Sequence, residues 1–149
     1  MERQTYERLA AGGYACTDAT CPYVRKIHEI VSSAGPDTAV VILGDETHPE
    51  VVGIRSFAGE RAYICGSAAE AAEVLPARLA ADAPAIAVAQ TTFDVGEWKK
   101  FCEFFKNLYT NAKIFDTICK VTEERQKEVV RLAQTSDGML VVGGAHSSN

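Results

Sequence analysis

Short apolar runs alternate with helix-period segments along the chain. Residues 38–43 (TAVVIL), 62–65 (AYIC), 85–89 (AIAVA), 112–116 (AKIFD) and 139–144 (MLVVGG) are of strand length and mostly apolar, the pattern of strands buried on both faces. Residues 14–19 (YACTDA) read as a further strand. Between them, apolar residues recur three and four apart. In residues 22–35, Val24, Ile27, Ile30 and Val31 share one helical face; Pro22 suits the first turn and Gly35-Pro36 ends the helix. Residues 67–75 read as an alanine-rich helix. Asp94 and Glu97 form a capping box ahead of a helix that aligns Trp98, Phe101, Cys102, Phe105 and Leu108. Residues 122–134 and the polar N-terminal segment 1–11 read as helices as well. Strands alternating with crossover helices predict an α/β fold with a mostly parallel sheet. Ligands of such sheets sit outside the carboxyl ends of the strands. The loops GDETHPE (44–50), QTT (90–92) and AHSSN (145–149) all fall at such ends.

Two cysteines occur in matching settings. DATC (18–21) and DTIC (116–119) each place a thiol between a predicted strand and a predicted helix. A cysteine at a helix N-terminus meets the positive end of the dipole and unpaired N–H groups, which favours the thiolate. That suits a nucleophile or an iron or zinc ligand; the alternative is a small buried residue in a turn. Cys21 precedes His48 by the same interval as Cys119 precedes His146. Each stretch runs strand, Asp-x-x-Cys, helix, strand, Gly, polar loop, which suggests internal duplication of a small α/β unit. Two thiolates alone do not close a metal site.

Other polar groups could join them. His48 can bind an anion and Glu50 can deliver a proton; equally, His48-Pro49-Glu50 could simply start a helix. Thr91 or Thr92 could hydrogen-bond a ligand hydroxyl, or serve a turn. Ser147, Ser148 and Asn149 offer two hydroxyls and an amide, a cradle for an anion or an ordinary polar loop. Trp98, Cys65 and Cys102 read as packing residues and His28 as solvated. Cys16 reads as a structural strand residue, and Lys99-Lys100 and 123–125 as solvated faces.

Composition narrows the setting. The chain has 149 residues, 47% hydrophobic and 23% charged, with a net charge of −5. Nothing in it suggests a nucleic-acid or anionic-membrane surface. No run is long enough to span a bilayer. Five cysteines, an odd number with no Cys-x-x-Cys and no visible signal peptide, argue against a disulfide framework and for a reducing cytoplasm.

The stretches DATCPYVRKIH, GDETHPEVVGI, QTTF, ICKVTEERQ and VVGGAHSSN, in this order, resemble the family of 4-hydroxy-3-methylbut-2-enyl diphosphate reductases, the LytB/IspH iron–sulfur enzymes. The resemblance implies reductive removal of an allylic hydroxyl from a small diphosphate in the methylerythritol phosphate route to isoprenoids. Isopentenyl and dimethylallyl diphosphate would be the products, with electrons from a donor such as ferredoxin or flavodoxin. It implies a [4Fe–4S] cluster held by three cysteines, one from each of three α/β units in a trefoil-like arrangement. Cys21 and Cys119 would be two of those ligands. Glu50 would be the proton donor, Thr91 would position the hydroxyl and the acid, and His48, Ser147, Ser148 and Asn149 would hold the diphosphate. The family's glycine-rich first cysteine motif, its first-unit histidines and its final serine-bearing segment have no counterpart here. The chain thus reads as the tail of a first unit (1–21), a complete second unit (22–115) and the truncated start of a third (116–149), inactive alone and without the third cysteine ligand. Two other readings remain: an α/β thiol enzyme pairing Cys21 or Cys119 with His48 or His146, and a non-catalytic ligand-binding domain.

Overall fold

Strand β1 (Ala39–Leu43) is buried at all of its positions, so both faces of its sheet must be covered. The computed structural model, which describes residues 2–144, shows how. Four parallel strands, β1, β2 (Ala62–Cys65), β3 (Ala85–Ala89) and β4 (Ala112–Ile114), lie in the order β2-β1-β3-β4. Strand β1 pairs residue for residue with β3, from Ala39↔Ala85 to Leu43↔Ala89. Alternation of side chains then builds two cores. Val40, Ile42, Ile86 and Val88 point to one face and pack with Ile27 and Val31 of α2 (Pro22–Ser33) and Val51 and Ile54 of α3 (Pro49–Ala58). Val41, Leu43, Ala87 and Ala89 point to the other, against α4 (Ala68–Arg78) and α5 (Val95–Leu108), where Leu75, Trp98, Phe101 and Phe105 are buried. The small side chains of β3 let the aromatic stripe of α5 lie close to the sheet.

Helix α1 (Arg3–Ala11) and helix α6 (Lys120–Thr135) flank this body. No helix among the described residues is long and apolar enough to cross a membrane.

Several expectations from sequence are corrected. Residues 14–19 form no strand; they are exposed and irregular, and Cys16 with them. Their polar residues turn the chain instead, as Thr20 N donates to Asp18 Oδ1 at 2.9 Å. Residues 139–144 form no strand either: Leu140, Val141 and Val142 are exposed and pair with no sheet neighbour. An apolar run becomes a parallel strand only where a neighbour completes its ladder, and this segment has none among the described residues. Strand β4 stops at Ile114 rather than Asp116. The loop predicted over 44–50 ends early, because Pro49 and Glu50 already open α3, as the helix-start reading of His48-Pro49-Glu50 has it. His28 is buried at 6% exposure, not solvated, and stacks on Phe57 of α3 with ring centroids 4.4 Å apart.

Candidate functional site

The chain leaves β1 towards β2 and leaves β3 towards β4, in opposite directions. The crevice between the carboxyl ends of β1 and β3 is therefore the topological switch point, where open α/β sheets take ligands. Two loops meet there, one from Gly44 into α3 and one from Gln90 into α5.

The first loop is held by its own polar groups. Asp45 Oδ1 accepts from Thr47 N at 2.8 Å and from Thr47 Oγ1 at 2.7 Å. The Thr47 hydroxyl, then its N–H, holds the Asp45 carboxyl below the usual carboxylate range. This turn delivers His48 to the N-cap of α3, where its Nδ1 accepts from Glu50 N at 3.2 Å. A neutral ring with Nδ1 as acceptor carries its proton on Nε2, a donor suited to an anionic oxygen. Glu50, in the first turn of α3, is half-buried and reaches across the crevice. Its Oε1 accepts from Thr91 N at 2.6 Å and its Oε2 from Thr91 Oγ1 at 2.7 Å. Thr91 is itself buried.

Gln90 clasps the two loops together. Its N donates to Leu43 O at 2.7 Å, its Oε1 accepts from Asp45 N at 3.1 Å, and its Nε2 donates to Thr92 Oγ1 at 2.8 Å. Gly44 makes this fit possible: a Cβ there would lie 2.7 Å from Val51 Cγ2 and 2.9 Å from Gln90 Oε1.

Cys119 joins the same cluster from the far side of β3. Its N donates to Thr91 O at 2.9 Å, and it caps α6. Cys21 caps α2. The C-terminal end of α2 lies at the amino ends of the strands, where Arg61, next to the start of β2, donates to the carbonyls of Gly35 and Thr38. The N-terminus of α2 therefore lies at the carboxyl end of the sheet, the end that carries the crevice. Neither Cys21 nor Cys119 makes a side-chain capping hydrogen bond; Cys21 is exposed and Cys119 half-buried. Cys65 and Cys102 differ: burial pushes the Cys65 thiol up to about 11 and raises Cys102 as well, so both stay protonated packing groups.

The structure thus brings Glu50, Thr91 and Cys119 into one bonded cluster, with His48 at the N-cap beside Glu50. It sets Cys21 at the same end of the sheet without bonding it to that cluster. Among the described residues, no group of three or more His, Cys, Asp or Glu side chains is gathered as a metal ion needs. The two thiols have the donor chemistry for a share of an iron–sulfur cluster, and the described residues do not complete the set. His146, Ser147, Ser148 and Asn149 lie outside the described residues. The sequence did not single out Gln90 as a clasp or mark Thr117; the Gln-Thr-Thr run at a strand end was the available signal for the first.

The LytB protein family model matches residues 1–149. The 4-hydroxy-3-methylbut-2-enyl diphosphate reductase of Thermoanaerobacter sp. (strain X514) is 37% identical over 150 residues, covering 100% of this chain and 50% of the relative. The reductase of the same name from Helicobacter pylori (strain Shi470) is also 37% identical, covering 100% of this chain and 53% of the relative. Among solved structures, the E-1-hydroxy-2-methyl-but-2-enyl-4-diphosphate reductase from Plasmodium falciparum superposes with a TM-score of 0.88 at 25% identity, over 100% of this chain and 47% of that one. A second, the (E)-4-hydroxy-3-methyl-but-2-enyl diphosphate reductase described as the terminal enzyme of the non-mevalonate pathway, gives 0.69 at 29% identity, over 99% and 52%. The chain spans about half the length of the curated relatives it matches.

Proposed function

This chain belongs to the LytB protein family, and from that premise we propose that it supplies part of the active site of a 4-hydroxy-3-methylbut-2-enyl diphosphate reductase. The observation that carries the proposal is the carboxylate of Glu50, held by both oxygens to Thr91 across the switch-point crevice, with Cys119 bonded to the same threonine. The reaction replaces the allylic C–OH bond by C–H, taking up two electrons and two protons and releasing water. Glu50 would hold one of those protons at Oε2. Thr91 Oγ1, 2.7 Å away, would accept a hydrogen bond from the substrate hydroxyl or pass the proton to it, so that the hydroxyl leaves as water. His48 would hold a diphosphate oxygen through Nε2, and Ser147, Ser148 and Asn149 would complete that cradle. Cys21 and Cys119 would hold a [4Fe–4S] cluster, as thiolates favoured by the N-termini of α2 and α6. The cluster, when bound, would supply the electrons and a Lewis-acidic iron.

Residues 22–115 would form one α/β unit, 1–21 the tail of a preceding unit and 116–149 the start of a following one. With no third ligand gathered to the two thiols among the described residues, the chain alone would not keep a stable cluster or turn over. A low-potential carrier such as ferredoxin or flavodoxin would deliver electrons. Unpaired cysteines fit a cytoplasmic setting.

The test is a hybrid in which this chain replaces the matching half of the Thermoanaerobacter relative. Turnover of the hydroxylated diphosphate with a reduced dye is expected from the hybrid and not from the chain alone. A hybrid that folds, binds its cluster and leaves the substrate untouched would defeat the proposal.

A further inference from the structure

We infer that Thr117 is a positioning residue: its buried hydroxyl stands in for a missing rung of the sheet and fixes Cys119 against Thr91, and through Thr91 against Glu50. The importance of that position rests on the reductase reading; the clamp itself does not. The last regular rung beyond β4 is Phe115 N donating to Ala87 O at 2.9 Å. The next residue of β3 to face that way, Ala89, is wholly buried, and both its N–H and its C=O need partners there. The backbone has already left the ladder. Thr117 Oγ1 fills both places, accepting from Ala89 N at 2.8 Å and donating to Ala89 O at 2.7 Å. The ladder then resumes, with Cys119 N donating to Thr91 O at 2.9 Å.

A hydroxyl is a donor and an acceptor on a single atom, which this splice requires. Serine preserves it; valine, of similar shape, leaves two buried backbone groups unpaired. Thr91 meanwhile gives its N–H and its hydroxyl to Glu50 and its carbonyl to Cys119. The Glu50 carboxylate and the backbone of Cys119 are therefore held through one residue, and Thr117 ties the strand two residues before it, at Ala89.

The experiment is alkylation of the metal-free chain by iodoacetamide, with each cysteine followed by peptide mass spectrometry. In Thr117→Val, the rate at Cys119 relative to Cys21 should rise by about tenfold, the local loosening expected when a buried backbone pair loses its partner, while Cys65 stays protected. Thr117→Ser should restore the wild-type ratio. An unchanged Cys119 rate in Thr117→Val would overturn the inference. So would Cys65 and Cys119 becoming reactive together, since that reports a general loosening. Should Thr117→Val not fold, amide exchange in the wild-type chain decides. Matching protection of the Ala89 and Cys119 N–H groups supports the clamp; free exchange at Cys119 beside a protected Ala89 overturns it. No metal enters the readout, so a failure of the reductase reading would leave it unmoved.

Discussion

A carboxylate bonded by both oxygens to one threonine has little freedom, and that places the sharpest tests at Glu50 and Thr91. Glu50→Gln keeps the size of the group and an acceptor for Thr91 N but has no proton to give. In the hybrid enzyme, kcat should fall by roughly 10²–10⁴-fold with little change in KM, the range for loss of a general acid. Thr91→Val keeps the backbone bond and removes the hydroxyl; a smaller loss, about 10- to 100-fold in kcat, is expected from misplacement alone. His28 makes a different prediction. Burial lowers its pKa below the ordinary 6.5, and its buried Nε2 has no hydrogen-bond partner. The unfolded chain then binds more protons than the folded one once the pH falls below the ordinary value. Its contribution to stability should be constant above about pH 6.5 and decline as the pH falls towards its folded pKa. His28→Phe, which keeps a ring against Phe57, should remove that part of the acid-side decline; denaturant midpoints measured across this range check it. A signal for this burial was present, since Val24 and Val31 lie four residues before and three after His28 on one helical face. Ile27 and Val31 are buried beside it on α2, and what covers its ring is Phe57 of α3.

At the scale of elements, the four strands that form and α2, α4, α5 and α6 were legible because period and caps agreed. Asp94 accepts from Glu97 N at 2.7 Å, as the capping box requires. Cys21 and Cys119 were legible as helix starts for the same local reason. Helix α3 was legible only as a possible start at His48-Pro49-Glu50; its extent was not, because Val51, Val52 and Ile54 sit beside Gly53 and Arg55 in a short stretch. The clamp at Thr117 left no pattern at all: one hydroxyl replacing two peptide groups has no periodicity. Gly44 is the element-scale test. Its β1–α3 turn lies against Val51 and Gln90 with no room for a methyl group. Gly44→Ala should lower stability by about 1–3 kcal/mol, as overpacking does, and loosen the Gln90 clasp. A shifted denaturant midpoint with an unchanged slope would report it. Unaltered stability would mean that the turn is looser than the contacts indicate.

At the scale of the whole molecule, the chain matches about half the length of its curated relatives, and its parts divide accordingly. The sheet and its two helical layers bury a core of their own. Helix α6 is tied to that body near its start, where Gln126 Oε1 accepts from Val95 N and Gln126 Nε2 donates to Phe93 O. Beyond it, Val129, Val130, Leu140, Val141 and Val142 are exposed. The apolar run at 139–144 was readable as a strand, but a run alone cannot supply the neighbour it pairs with. At the candidate site the motifs pointed to Glu50, Thr91 and Cys119, which the structure brings together, while Ser147, Ser148 and Asn149 lie outside the described residues. The central claim is that Cys21 and Cys119 serve one iron centre. Its most direct test is anaerobic iron–sulfur reconstitution of the chain and of the hybrid, with iron and sulfide counted and the visible spectrum recorded. The account predicts a colourless, iron-free chain and a coloured hybrid whose signal is lost in both Cys21→Ser and Cys119→Ser. A hybrid that stays colourless, or one that keeps its full cluster signal in either variant, would contradict it.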